Sequence, residues 1–208
     1  GDGVDVAACW TERHNTTTAE TFSPGLYRLL NSGIVTREIE GRDAKGPNRM
    51  WATVETDQAD GSDQADYQVA TKAVELLRQR KEAGKPFFLA VGFVRPHFPM
   101  VQPKRYFDLY PQEQMKIPPL VEGDLDDIPP AGRGSNGNGL NENEESRRRM
   151  WQAYYASVTF MDEQVGRVVD ELDRLGLRDS TAIVFTSDHG YHLGEHGFWQ
   201  KGNLHEEV

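Results

Sequence analysis

At 208 residues the chain has room for one sizeable domain or for part of a larger one, and 37% hydrophobic with 27% charged residues describes a globular protein with generous polar loops. A formal net charge of −10 lacks the basic surface that nonspecific nucleic-acid binding needs, and no apolar run approaches the roughly 20 residues of a membrane span. Cys9 is the single cysteine, so no intrachain disulfide can form and the redox compartment is not legible. Neither end carries a signal-peptide pattern or a terminal cap, which predicts an internal fragment of a longer chain.

Residues 1–64 are polar and turn-rich, and the expectation there is irregular structure. Tyr67, Ala70, Ala73, Val74 and Leu77 then fall at helical spacing, predicting a helix over 66–82 that Gly84-Lys85-Pro86 stops. PFFLAVGFV, residues 86–94, is a short continuous apolar run with proline close on both sides, which predicts a strand covered on both faces. The loop RPHFPMVQPKRYFDLYP leaves its carboxyl end, its prolines disfavouring regular structure. Residues 121–143, poor in aromatic residues and rich in Gly, Asn and acid, predict a mobile surface loop that contributes no core. From Trp151 to Leu175 apolar residues recur every three or four positions, so a long amphipathic helix is expected over 144–175. Residues 182–186 read as a second buried strand.

Strand, helix, strand is the pattern of a right-handed crossover, so the fold class expected is α/β, a mixed and mostly parallel sheet flanked by helices. Ligands in such sheets sit beyond the carboxyl ends of the strands. That rule puts RPHFP and SDHGYHLGEHGFWQK, residues 187–201, on one rim.

The second loop is the chemically loaded one. Asp188, fixed where the strand stops, can bind a divalent cation, with His189 as a second ligand, or can simply cap the turn. His189, His192 and His196 suggest zinc, but HExxH and CxxC spacing is absent, and hydrogen bonds within the loop account better for His192 and His196. Lys201 after Phe198-Trp199 can direct an ammonium at an anion beside the metal, or face solvent. His97 lies between Pro96 and Pro99, in a stiffened loop of the kind that a positioned proton donor or anion ligand needs.

PFFLAVGFVRPHFP and YYASVTFMDEQVGRVVDELDRLGLRDSTAIVFTSDHGYHLGEHGFWQK resemble the type I sulfatases of the alkaline phosphatase superfamily, most nearly the iduronate-2-sulfatase group. The resemblance covers most of residues 67–208 and implies a partial alkaline-phosphatase-like domain. It implies one divalent cation, normally calcium, with Asp188 and His189 among its ligands. His97 and Lys201 are then the catalytic and substrate-binding residues that contact the sulfate, His97 as anion ligand or proton donor to the leaving alcohol. The nucleophile implied is a formylglycine hydrate, made from Cys or Ser in C/S-x-P-x-R. Cys9-Trp10-Thr11-Glu12-Arg13 lacks the proline and lies too close to RPHFP, so Cys9 is not assigned and the formylglycine is expected outside this chain, with further metal ligands and a carboxyl-terminal subdomain. The resemblance also implies a sulfated carbohydrate substrate, a glycosaminoglycan or sulfated polysaccharide, and a periplasmic, secreted or lysosomal location.

Two other functions stay open at this point. A phosphodiester or phosphonate ester hydrolase of the same superfamily would share the metal rim, and a truncated domain could bind sulfated glycans without cleaving them. Oligomeric state is not legible.

Overall fold

The computed structural model describes residues 9–14, 26–31, 34–40, 52–56, 60–62, 64–98, 100–133 and 140–202. Two helices form its frame. Helix α1, Ala65–Ala83, covers the predicted 66–82, and Gly84 ends it at φ 60° while its N–H reaches back to the carbonyls of Arg80 and Lys81. Only glycine enters that left-handed region without strain. Ala70, Ala73 and Leu77 form the buried stripe.

Helix α3, Glu144–Arg174, matches the predicted 144–175 and is preceded by α2, Lys104–Asp108. The Asn143 side chain caps α3 by accepting from the Ser146 N–H at 3.1 Å, with Glu144 and Glu145 at the positive end of the helix dipole. Met150, Ala153, Ala156 and Phe160 line its buried face. The core closes over that face with Met100, Tyr106, Phe107, Leu140, Leu193 and Trp199. Leu140 corrects the expectation that 121–143 contributes no core. The described part of that loop is a run of hydrogen-bonded turns, such as Asp126 N–H to Gly123 O at 3.0 Å, and residues 134–139 lie outside the described residues.

The sheet departs from expectation. Strands β1 (Leu26–Asn31), β2 (Ile34–Glu40), β3 (Ala52–Thr56) and β4 (Met100–Pro103) lie in the order β2-β1-β3-β4. β1 is antiparallel to β2 and to β3, and only β3 and β4 run parallel, with Thr53 opposite Met100. So regular structure stands where 1–64 was expected to be irregular, the rest of that stretch lying partly outside the described residues. The sheet is mostly antiparallel, not mostly parallel. Many turn residues around short apolar stretches concealed strands whose partners lie elsewhere in the chain.

The two apolar runs expected as buried strands are neither paired nor buried. Residues 86–94 and 181–187 join no strand among the described residues, and Phe88 (82% exposed), Val184 (87%) and Phe185 (72%) face outward. Composition reports the burial a segment favours, whereas a strand needs a neighbour to hydrogen-bond with. Trp10 stacks near Phe88, ring centroids 6.0 Å apart. The expected strand, helix, strand order is therefore not joined into a sheet among the described residues.

Candidate active site

His97 sits in a turn that its own backbone closes. Its N–H donates to Val94 O at 3.0 Å, and Arg95 Nη1 donates to His97 O at 2.8 Å. The ring stacks on Phe98, centroids 4.7 Å apart, and Nδ1 lies 2.6 Å from the Phe98 carbonyl. A carbonyl oxygen only accepts, so Nδ1 carries the hydrogen of this contact and Nε2 takes no part in it. The turn is held from outside by Asp66 in the first turn of α1, whose two oxygens accept from the N–H groups of Val94 (2.8 Å) and Arg95 (3.0 Å).

His189 repeats the arrangement. Its Nδ1 lies 2.8 Å from the Gly190 carbonyl, which fixes the hydrogen there and leaves the Nε2 lone pair to accept from Lys201 Nζ at 2.7 Å. Asp188 is exposed. One carboxylate oxygen accepts from the His189 N–H at 2.9 Å, and the other lies 3.5 Å from His189 Nε2. Among the described residues no hydrogen bond or ion pair links His97 to this group.

Lys201 reaches His189 because residues 191–200 fold back. Strands β5 (His192–Leu193) and β6 (Trp199–Gln200) pair antiparallel around the turn 195–197. Trp199 is buried, and its indole N–H donates to Asn141 Oδ1 at 2.8 Å while Asn141 Nδ2 donates to Gly197 O at 2.8 Å. Trp151 Nε1 donates to Leu193 O from α3. Gly194 adopts φ 104°, and a Cβ there would sit 3.1 Å from the Trp199 ring. The hairpin is thus pinned to α3 and to the segment before it, and it brings Asp188, His189 and Lys201 together at its base.

The zinc alternative does not form. His192 is buried with its ring edge-on to Phe198, and His196 leaves the loop to pair with Asp124 at 2.8 Å. No group of three or more metal-binding side chains gathers among the described residues. Asp188 and His189 do suit one cation as part of a larger shell: ligand atoms about 2.0–2.6 Å from a shared ion lie roughly 3–3.5 Å from each other, close to the 3.5 Å found. Burial pushes the hydroxyls of nearby Tyr154 and Tyr191 up, with the Glu195 charge adding to it at Tyr154, so both remain neutral phenols.

Asp66, Asn141 and Asp124 were passed over in the sequence. Each is an ordinary polar residue far along the chain from what it holds, and no motif marks it. Cys9 is exposed and forms no disulfide.

His97 lies in one proline-stiffened turn, and Asp188, His189 and Lys201 gather at the base of the β5–β6 hairpin. The sulfatase family profile matches residues 11–207, and the chain belongs to that family. It is similar to a sulfatase of Formosa agariphila (42% identical over 139 residues, 64% of this chain and 27% of that protein). It is also similar to the iduronate 2-sulfatase of Mus musculus (35% over 181 residues, 80% of this chain and 33% of that protein). The chain therefore spans about a third or less of the length of these relatives. Its fold matches a phosphonate monoester hydrolase from Silicibacter pomeroyi with TM-score 0.62 and 22% identity, covering 93% of this chain and 36% of that one. No described helix is long and apolar enough to cross a membrane.

Proposed function

We propose that the chain is an internal stretch of the catalytic domain of a sulfuric ester hydrolase that removes sulfate from a sulfated carbohydrate. The observation that carries this is the base of the β5–β6 hairpin, where an exposed carboxylate and an imidazole lone pair stand beside the Lys201 ammonium. That pairing suits a bound sulfate ester anion: one side holds a cation, the other meets the negative oxygens directly. Asp188 and His189 Nε2 would hold a divalent cation, calcium by family habit, which supplies positive charge at the sulfate oxygens. The formylglycine, which supplies the nucleophile, would come from chain outside this sequence.

The residues present have separable tasks. Lys201 neutralises charge on the sulfate when its ammonium leaves His189 for the oxyanion. His97, with Nδ1–H tied to Phe98 O, is placed, when Nε2 is protonated, to donate from Nε2–H to a sulfate oxygen or to give that proton to the departing alcohol. Residues 86–94 and 182–186 serve as strands of a sheet that further chain completes, and both loops then leave on one rim. A periplasmic, secreted or lysosomal setting goes with this reading.

In the full-length protein, His97→Ala is expected to lower kcat on an aryl sulfate by about 100- to 10,000-fold, and Lys201→Ala by about 100-fold or more, with the circular-dichroism spectrum unchanged. Chelation should abolish turnover and added calcium restore it. Undiminished turnover in both variants would remove the assignment. A second reading, a phosphonate monoester hydrolase, draws on the shared fold. A higher kcat/KM for an aryl phosphonate than for the matching aryl sulfate would favour it.

A further inference from the structure

We infer that Asp66 is the positioning residue for His97, acting across the interface between α1 and the proline-stiffened turn. Rested on the sulfatase reading of His97, this adds a residue that touches neither substrate nor metal and sets the direction of one that does.

Asp66 is 1% exposed, yet it makes no hydrogen bond within its own helix. α1 has no side-chain cap, its N-cap residue Gln64 making none. An aspartate at a helix start ordinarily accepts from that helix's free N–H groups. Here both oxygens are turned away to residues 28 and 29 positions further on, one to each of two consecutive backbone N–H groups. Burying a carboxylate costs several kcal/mol unless it is fully hydrogen-bonded, so the arrangement is tolerated for the two bonds it makes. The positive end of the α1 dipole supports the charge.

Those two N–H groups belong to the residues from which the turn is built. Val94 O accepts from the His97 N–H, and the Arg95 guanidinium donates to His97 O. Holding the Val94 and Arg95 amides therefore fixes both backbone groups of His97. The Nδ1–H to Phe98 O bond then sets the ring plane, so Asp66 determines where Nε2 points. Asparagine is nearly the same size but presents one acceptor and one donor. It can keep one of the two bonds and sets an N–H against the other amide.

The test is a double-mutant cycle in the full-length protein on an aryl sulfate, using Asp66→Asn, His97→Ala and the pair. Asp66→Asn should lower kcat by about 10- to 100-fold, as a misplacement near 1 Å does, with KM changed by less than about threefold. Amide exchange over residues 94–98 should speed up. In the His97→Ala background the Asp66 substitution should cause no further loss, because there is no imidazole left to misplace. Equal losses in both backgrounds, or full activity of Asp66→Asn, would overturn the inference while leaving His97 in place. Full activity of His97→Ala would instead bring down the site reading and this inference with it. Asp66→Ser, which keeps one acceptor, carries the same comparison if the amide variant does not fold. Failure of both variants to fold would make Asp66 a structural residue and end the positioning role.

Discussion

His97 and His189 share one device. Each imidazole ties Nδ1–H to the carbonyl of the residue that follows it, at 2.6 Å and 2.8 Å, and presents Nε2 outward. The backbone thereby chooses the tautomer. With the rings neutral, nitrogen-detected NMR should find the hydrogen of both histidines on Nδ1. A signal from Nε2–H in either ring would mean that the carbonyl contact does not persist. His196 is the contrasting case: its Nδ1 faces Asp124 Oδ2 at 2.8 Å, an arrangement suited to holding a loop together.

At the scale of elements, α3 organises the molecule, since α1, α2, β4 and the turns before it all pack on its flanks. Its carboxyl-terminal half is tied to α1 by a charge cluster. Glu171, with a side chain 8% exposed, accepts from Arg174 at 2.8 Å and from Arg78 at 2.7 Å. Hydrogen bonds from Arg174 first and Arg78 second hold the carboxyl down at about 2, against an ordinary 4.5. A carboxyl depressed in the folded state contributes stability above its unfolded value. That contribution is lost as pH falls from about 4.5 toward 2, where the unfolded chain binds the proton first. Thermal unfolding of Glu171→Gln should therefore vary less with pH across that window than the parent. Parallel pH curves would show that the cluster contributes nothing.

The described residues combine a buried core around α3 with two exposed apolar segments. Phe88, Ile183, Val184 and Phe185 occupy residues whose composition calls for two covered faces. An active site built at the ends of such segments stays approximate until neighbouring strands fix them, because a catalytic group must be held to a fraction of an ångström. The isolated 208-residue chain is accordingly expected to show no aryl sulfatase turnover. Measurable hydrolysis by it, above a His97→Ala control, would refute that expectation.

Periodicity was enough for both long helices, since a stripe of apolar residues every three or four positions has one regular solution, and Gly84 and Asn143 mark their ends chemically. Asp188, His189, Lys201 and His97 were legible as residue types in a recognisable order. Their arrangement was not. The stretch between His189 and Lys201 looked like a spacer, yet the Trp199 to Asn141 contact folds it into a hairpin that closes the two to 2.7 Å. Strands β1, β2 and β3 were missed, and the runs at 86–94 and 181–187 stand without partners among the described residues, for one reason: pairing is a relation between distant segments, and local composition carries only half of it. Asp66 was hidden by the same physics, because a carboxylate in a first helical turn looks like a cap until the chain 28 residues later returns to it.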